Sequence, residues 1–251
     1  MKKILVFGIT ILSLLFGCGG GSASTSQQEQ TRSISTLLVP LYSYPTTYRD
    51  DHQRLAQLRT QKEIMVIINP DNGPGNSKDV EFENLIISYK NAGMKILGYV
   101  FTSYTSRNQS NVKADIEKYL QFYPQIDGFF LDEVSNKPED INYYSQLYQY
   151  IKTHGRFLVV INPGTKVPQE YYNVADKVVV FEQSIDFLYN QYGLTKANPK
   201  DCFLVYGVRD IGKAKELLLY LVSHDAKCAY IVNEDPPSWF RLSPYMDLLI
   251  E

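Results

Sequence analysis

The sequence predicts a single parallel (β/α)8 barrel, the TIM-barrel class of α/β fold. Three observations carry that prediction. Eight short apolar runs recur along the chain, most followed by a polar loop and a helical pattern. The runs are near-continuously apolar rather than alternating, which marks strands covered on both faces, as in a parallel sheet wrapped by helices. The eight units occupy about 220 residues, the short end of the usual size for such a barrel.

In order, the predicted strands are 36–42 (TLLVPLY), 64–69 (IMVIIN), 95–101 (KILGYVF), 127–132 (DGFFLD), 157–162 (FLVVIN), 177–182 (KVVVFE), 202–208 (CFLVYGV) and 228–234 (CAYIVNE). Helical patterns fall at 49–60, 78–92, 112–122, 138–153, 168–175, 211–223 and 239–249. Gly93 and Gly155 stand where helix C-caps belong. The link 183–201 is less regular and has room for a short helix only. The competing architecture is an open doubly wound sheet, which would want a Gly-rich phosphate turn after the first strand. Here that turn is Ser43-Tyr44-Pro45-Thr46. No second domain is expected beside a barrel over 35–251.

The N-terminus reads as an export and anchoring signal. Met1-Lys2-Lys3 is a basic start, and residues 4–16 are an apolar run of signal-peptide length, short for a membrane span. The run ends in Leu15-Phe16-Gly17-Cys18, which is similar to a bacterial lipobox, with Cys18 the lipidated residue after cleavage behind residue 17. The Gly/Ser/Thr/Gln-rich stretch that follows Cys18 and ends by residue 34 is expected to be a flexible tether. The expectation is therefore an exported protein, lipid-anchored to a bacterial membrane: the outer one if the source has two, otherwise the cell surface. Cys202 and Cys228 each open a strand. Equivalent positions on parallel neighbours often lie too far apart for a bridge, so two buried thiols are expected ahead of a disulfide.

The chain of 251 residues has 25 Lys and Arg against 27 Asp and Glu, a net charge of −2. A nucleic-acid partner would show as a basic face, and none is expected; a monomer is. The unusual feature is 20 Tyr. Most are expected to be helix–sheet packing, but a ring with a hydroxyl also suits a wet surface that binds sugars.

In a barrel, chemistry belongs to the C-terminal strand ends and the loops behind them. The fourth strand ends in adjacent acids, Asp132 and Glu133, and the sixth in Glu182. Around them stand Tyr42 and Tyr44 (first strand), Asn69 (second), Tyr99 and Tyr104 (third), Asn162 (fifth), Tyr206 (seventh) and Asn233 (eighth). Acids for proton transfer, amides for hydroxyls and aromatic faces for pyranose rings make a sugar site. The three His, at 52, 154 and 224, fall within or at the ends of helical patterns and are expected to be solvated there. That argues against a Ser–His–Asp triad or a His-rich metal site. No metal or cofactor is expected. Burial of Glu182 would raise its pKa, as a general acid requires. Which of Asp132 and Glu133 works with it stays open.

Six motifs bear a family resemblance: PLYSYP at 40–45, INP at 68–70, GYVFTSY at 98–104, DGFFLDE at 127–133, INPG at 161–164 and FEQS at 181–184. Together, and in order, they resemble the spherulation-specific family 4 (spherulin-4-like) proteins over essentially the whole chain after the tether. The resemblance implies a TIM-barrel glycoside hydrolase, related to endo-α-1,4-N-acetylgalactosaminidases that cleave secreted or biofilm exopolysaccharide. It also implies that the essential acids correspond to Asp132, Glu133 and Glu182. Retaining, inverting and substrate-assisted mechanisms remain alternatives. So does a non-catalytic carbohydrate-binding lipoprotein on the same barrel, or a metal-dependent deacetylase or phosphodiesterase.

Overall fold

The computed structural model describes residues 33–236 and 239–251. The signal segment, Cys18 and nearly all of the tether lie outside the described residues. Eight parallel strands form one closed barrel in chain order: β1 Thr36–Pro40, β2 Glu63–Ile68, β3 Lys95–Phe101, β4 Gly128–Asp132, β5 Leu158–Ile161, β6 Lys177–Ser184, β7 Asp201–Tyr206 and β8 Cys228–Ile231. The ring closes where Thr36 and Leu37 of β1 pair with Cys228 and Ala229 of β8.

The strands are apolar on both faces because both are covered. Every residue of β1 and β8 is buried, and β4 is buried up to Asp132, its last residue. Each fully buried Val, Leu, Ile or Phe contributes roughly 1.5–3 kcal/mol relative to exposure, so these runs commit the chain to a barrel wrapped in helices. β4 also sits very close to β5. A Cβ at Gly128 would stand 2.3 Å from the Leu158 carbonyl oxygen, a distance no side chain tolerates.

Helices α1 Arg49–Gln57, α2 Val80–Asn91, α3 Gln109–Phe122 and α4 Ile141–Thr153 follow the first four strands. Local chemistry sets several ends. Asp79 caps α2 by accepting from the backbone N–H groups of Glu81 and Phe82, and Asn108 caps α3 through Ser110. Gly93, at φ 82°, turns the chain out of α2 in the left-handed conformation that favours glycine. After β6 the helix is short: α5 Ile185–Phe187 runs into a single π-turn over Leu188–Tyr192. Helix α6 Ile211–Ser223 follows β7, capped by Asp210, and α7 Met246–Ile250 closes the chain.

Four expectations need correction. The pattern at 168–175 forms only a 3-10 helix, Gln169–Asn173. The pattern at 239–249 yields helix only over Met246–Ile250, because Trp239 has φ 78° and Ser243 is fully buried in a turn, its N–H donating to the Tyr230 hydroxyl. Cys202 and Cys228 are disulfide-bonded, with Cα atoms 4.5 Å apart. They are direct register partners on β7 and β8, at the near end of the Cα range a bridge accepts. His52 is not solvated: it is 3 % exposed. Its Nδ1 lies 2.7 Å from the Tyr89 hydroxyl and its Nε2 3.1 Å from Ser43, and burial lowers its pKa.

One irregularity bears on the site. The β6–β7 register shifts between Val179 and Phe181. An extra residue in a strand reverses which later side chains face the barrel axis, and such bulges re-aim side chains beside functional sites. Glu182 follows directly.

Candidate active site

At the C-terminal mouth, the tips of β3 and β4 are tied together. The Thr102 N–H donates to the Asp132 carbonyl at 2.9 Å, and the Tyr104 N–H to the Glu133 carbonyl at 2.7 Å. Backbone strain concentrates here: Ser103, Tyr104, Thr105 and Glu133 have φ of 47°, 51°, 74° and 51°. Left-handed conformations cost non-glycine residues on the order of 1–3 kcal/mol each and cluster at functional sites. The turn at Glu133 lets adjacent acids serve one hollow. Asp132 and Glu133 both line a cavity of about 420 Å³ with Tyr104, Asn162, Pro163, Gly164, Thr165, Glu182 and Gln183.

The acids are held by neutral donors. Asn162, just past β5, places its Nδ2 2.7 Å from Asp132 Oδ1 and 2.6 Å from Glu182 Oε2. The two carboxylate oxygens therefore lie no farther apart than those distances summed. The reverse amide orientation would set Oδ1 against an ionised oxygen, whereas in this one both acids receive a donor. Its consequence is that Asn162 Oδ1 is buried without a hydrogen-bond partner, a desolvation cost of about 1–3 kcal/mol. On the far side of Glu182, the Trp239 indole N–H donates to Oε1 at 2.9 Å. The Tyr99 hydroxyl and the Glu133 backbone hydrogen-bond Asp132, and Ser103 Oγ donates to Glu133 Oε2 at 3.1 Å. Gly164 sits beneath at φ 64°, and its carbonyl accepts the Glu182 N–H at 3.2 Å.

Burial pushes both principal acids above the usual carboxylate range. For Asp132, bonds from Tyr99, Glu133 and Asn162 pull back against it. For Glu182, the nearby Asp132 charge adds to the rise, while Asn162 and Trp239 oppose it. Two carboxylates this close retain one proton more readily than isolated acids. The arrangement sets two carboxyl groups of raised proton affinity at the edge of an open hollow.

The model of spherulation-specific family 4 matches residues 36–251. The chain belongs to that family. This spherulin-4-type chain is 38% identical to Spherulin-4 of Physarum polycephalum over 158 residues, 62% of this chain and 47% of that one. It thus spans about half the length of the curated relative it matches. Among solved structures, Sph3 of Aspergillus clavatus, determined in complex with GalNAc, superposes with a TM-score of 0.75 at 24% identity, over 87% of this chain and 96% of that one. An endo-beta-N-acetylglucosaminidase from Cordyceps militaris, in apo form, gives a TM-score of 0.50 at 11% identity, over 80% and 81%. These are likenesses of fold.

In this family member, Asp132, Glu133, Glu182, Tyr104 and Asn162 come together as read from the strand tips. Tyr99 is buried beneath, stacked on Phe130 with its hydroxyl on Asp132. Tyr42 packs edge-on against Tyr99 at 5.6 Å. Burial and the charges of Asp132 and Glu182 hold its hydroxyl well above the usual phenol pKa. Tyr206 reaches the cavity wall indirectly, donating to Gln183 Oε1 at 2.7 Å.

Three expected residues lie elsewhere. Tyr44 packs edge-on against Phe82 and donates to Asp79, the α2 cap. Asn69 spends its side-chain oxygen on the Gly73 N–H at 2.8 Å, closing the turn after β2. Asn233 is exposed and meets Arg209 through its carbonyl. Asn162 was expected to hold sugar, yet both of its amide protons go to the acids. Trp239 was missed. Its local signal was faint: the sole Trp of the chain, in a loop after two prolines behind the eighth strand.

Proposed function

We propose that this protein is a glycoside hydrolase acting on an amino-sugar exopolysaccharide containing N-acetylgalactosamine, by carboxylate acid/base chemistry. The observation that carries the reading is the Asn162-bridged pair, Asp132 and Glu182, at the edge of a cavity of about 420 Å³ at the barrel mouth. Membership of spherulation-specific family 4 supports it. So does the fold shared with Sph3, a protein crystallised with GalNAc.

Glu182, raised by burial and by its neighbour's charge, is the proton donor to the leaving glycosidic oxygen. Asp132, carrying more hydrogen bonds to its charged form, is the ionised partner. The short reach between their oxygens favours the retaining spacing of about 5–5.5 Å over the 6.5–9.5 Å that leaves room for an inverting water. In that scheme Asp132 attacks the anomeric carbon as Glu182 protonates the departing oxygen. Glu182 then takes a proton from the water that releases the glycosyl-enzyme. Glu133, fixed by Ser103, orients the sugar's 2-acetamido group. Tyr104 offers an exposed ring to the pyranose face.

Export and anchoring through Cys18 complete the proposal. The lipobox-like segment supports them, and the Cys202–Cys228 disulfide suits an oxidising compartment. The test is polymer cleavage by the parent protein and by the D132N and E182Q variants. Cleavage lost with polymer binding retained supports the hydrolase. A parent that binds but never cleaves amino-sugar polymers identifies a carbohydrate-binding lipoprotein, and cleavage abolished by a chelator identifies a metal-dependent enzyme. A trapped glycosyl-aspartate separates the retaining route from a substrate-assisted one.

A further inference from the structure

We propose that Trp239 is a positioning residue of the catalytic centre, its indole N–H fixing Oε1 of Glu182 while Asn162 fixes Oε2. This rests on the hydrolase reading for its kinetic consequence and on geometry alone for the contact itself. Trp239 is 7 % exposed. Its Nε1 donates to Glu182 Oε1 at 2.9 Å, and indole has no second polar function to satisfy. Its backbone is pinned from the opposite side, where the Tyr42 N–H donates to the Trp239 carbonyl at 2.8 Å. Its ring leans on the fully buried Tyr230 at 6.1 Å. Its φ of 78° is a conformation that bulky residues rarely adopt. A left-handed tryptophan held at both backbone and side chain, with its only side-chain donor aimed at a half-buried carboxylate, is built to hold that carboxylate.

The consequence follows from the donors' positions. With Nδ2 of Asn162 on one oxygen and Nε1 of Trp239 on the other, the Glu182 carboxyl cannot rotate out of its plane without breaking a bond. Both donors stabilise the charged form. They oppose burial and the Asp132 charge, which favour the protonated one. The other titratable groups that sense Glu182 are the hydroxyls of Tyr42, Tyr99 and Tyr104. The loop behind β8 thereby tunes an acid on β6, holding its proton affinity below what burial and the Asp132 charge alone would set.

Because Trp239 is the sole tryptophan, the intrinsic tryptophan emission of the full chain reports this contact. Titration of the parent is expected to show an emission transition that E182Q abolishes and that D132N moves to lower pH, since removing the neighbouring charge eases ionisation. An unchanged transition in E182Q overturns the proposal, whatever the activity. In turnover, W239F keeps the ring and loses the donor. Its kcat should fall roughly ten- to a hundredfold, the worth of one hydrogen bond to a charged group, with KM nearly unchanged. The alkaline limb of its pH profile should move upward. Loss of thermal stability alone, with kcat and the limb unmoved, also overturns it. A parent inactive on every amino-sugar polymer sinks the hydrolase reading and leaves the emission titration to decide the contact.

Discussion

Asp132 on β4 and Glu182 on β6 accept hydrogen bonds from one and the same nitrogen, Nδ2 of Asn162, at 2.7 and 2.6 Å. A neutral amide thus bridges two half-buried acids. It orients both without neutralising either, and leaves their mutual repulsion to raise the proton affinity of the pair.

Replacing either principal acid should remove turnover. E182Q is expected to lower kcat by about 10²–10⁴-fold, the range of general acid–base contributions, and D132N, which removes the nucleophile, by at least as much, with polymer binding preserved. An aryl glycoside with a good leaving group should rescue E182Q far more than D132N, because such a group departs without a proton. Equal rescue would reassign the roles.

Asn162→Ala should cost activity without unfolding the barrel. The substitution removes an orphaned acceptor, which favours stability, but leaves two carboxylates without their shared donor. A fall in kcat of roughly ten- to a hundredfold is expected, with both limbs of the pH profile shifted upward, since each acid loses a bond to its charged form. Unmoved limbs would refute the bridging role.

The acids should destabilise the fold they serve. Their folded pKa values are raised above the unfolded ones. Between the two values the native state binds more protons, so stability falls as pH rises through that window. E182Q should therefore raise Tm at pH 7, and the gain should vanish near pH 4, where both states hold the proton. Thermal scans at the two pH values decide it.

His52 gives the opposite sign. Its folded pKa is lowered by burial, so the unfolded state binds more protons below about pH 6.5, and stability is lost as pH falls through that value. H52Q, which can still reach Tyr89 or Ser43, should lose less stability on acidification than the parent in denaturant titrations.

Reducing the Cys202–Cys228 bridge should cost about 2–4 kcal/mol. That lowers Tm by roughly 2–4 °C per kcal/mol for a domain of this size, and the barrel should survive. Both sulfurs lie at the strand starts, away from the mouth, so a C202A/C228A variant should keep its kcat.

The barrel was legible because its signals are local. Runs such as FFLD and VVVFE are apolar up to their terminal acids, as strands covered on both faces are. Such runs stop at Asp132, Glu133 and Glu182, and a barrel assigns that end to chemistry. The misreadings share a cause as well. Tyr44 and Asn69 sit past strand ends like the residues that line the cavity, but short contacts to Asp79 and Gly73 claim them first. Periodicity cannot see such competition.

The sequence by itself determined eight strands in order and the acids at their tips, since both follow from which residues are apolar and where the apolarity ends; the family it showed through motif resemblance. Tertiary structure alone decided that Cys202 would meet Cys228, that a bulge before Glu182 would re-aim it, and that Asn162 would face acids. It alone brought Trp239 across the mouth from behind β8. Those outcomes depend on distances between segments far apart in the chain, which closing the ring sets and no local pattern encodes.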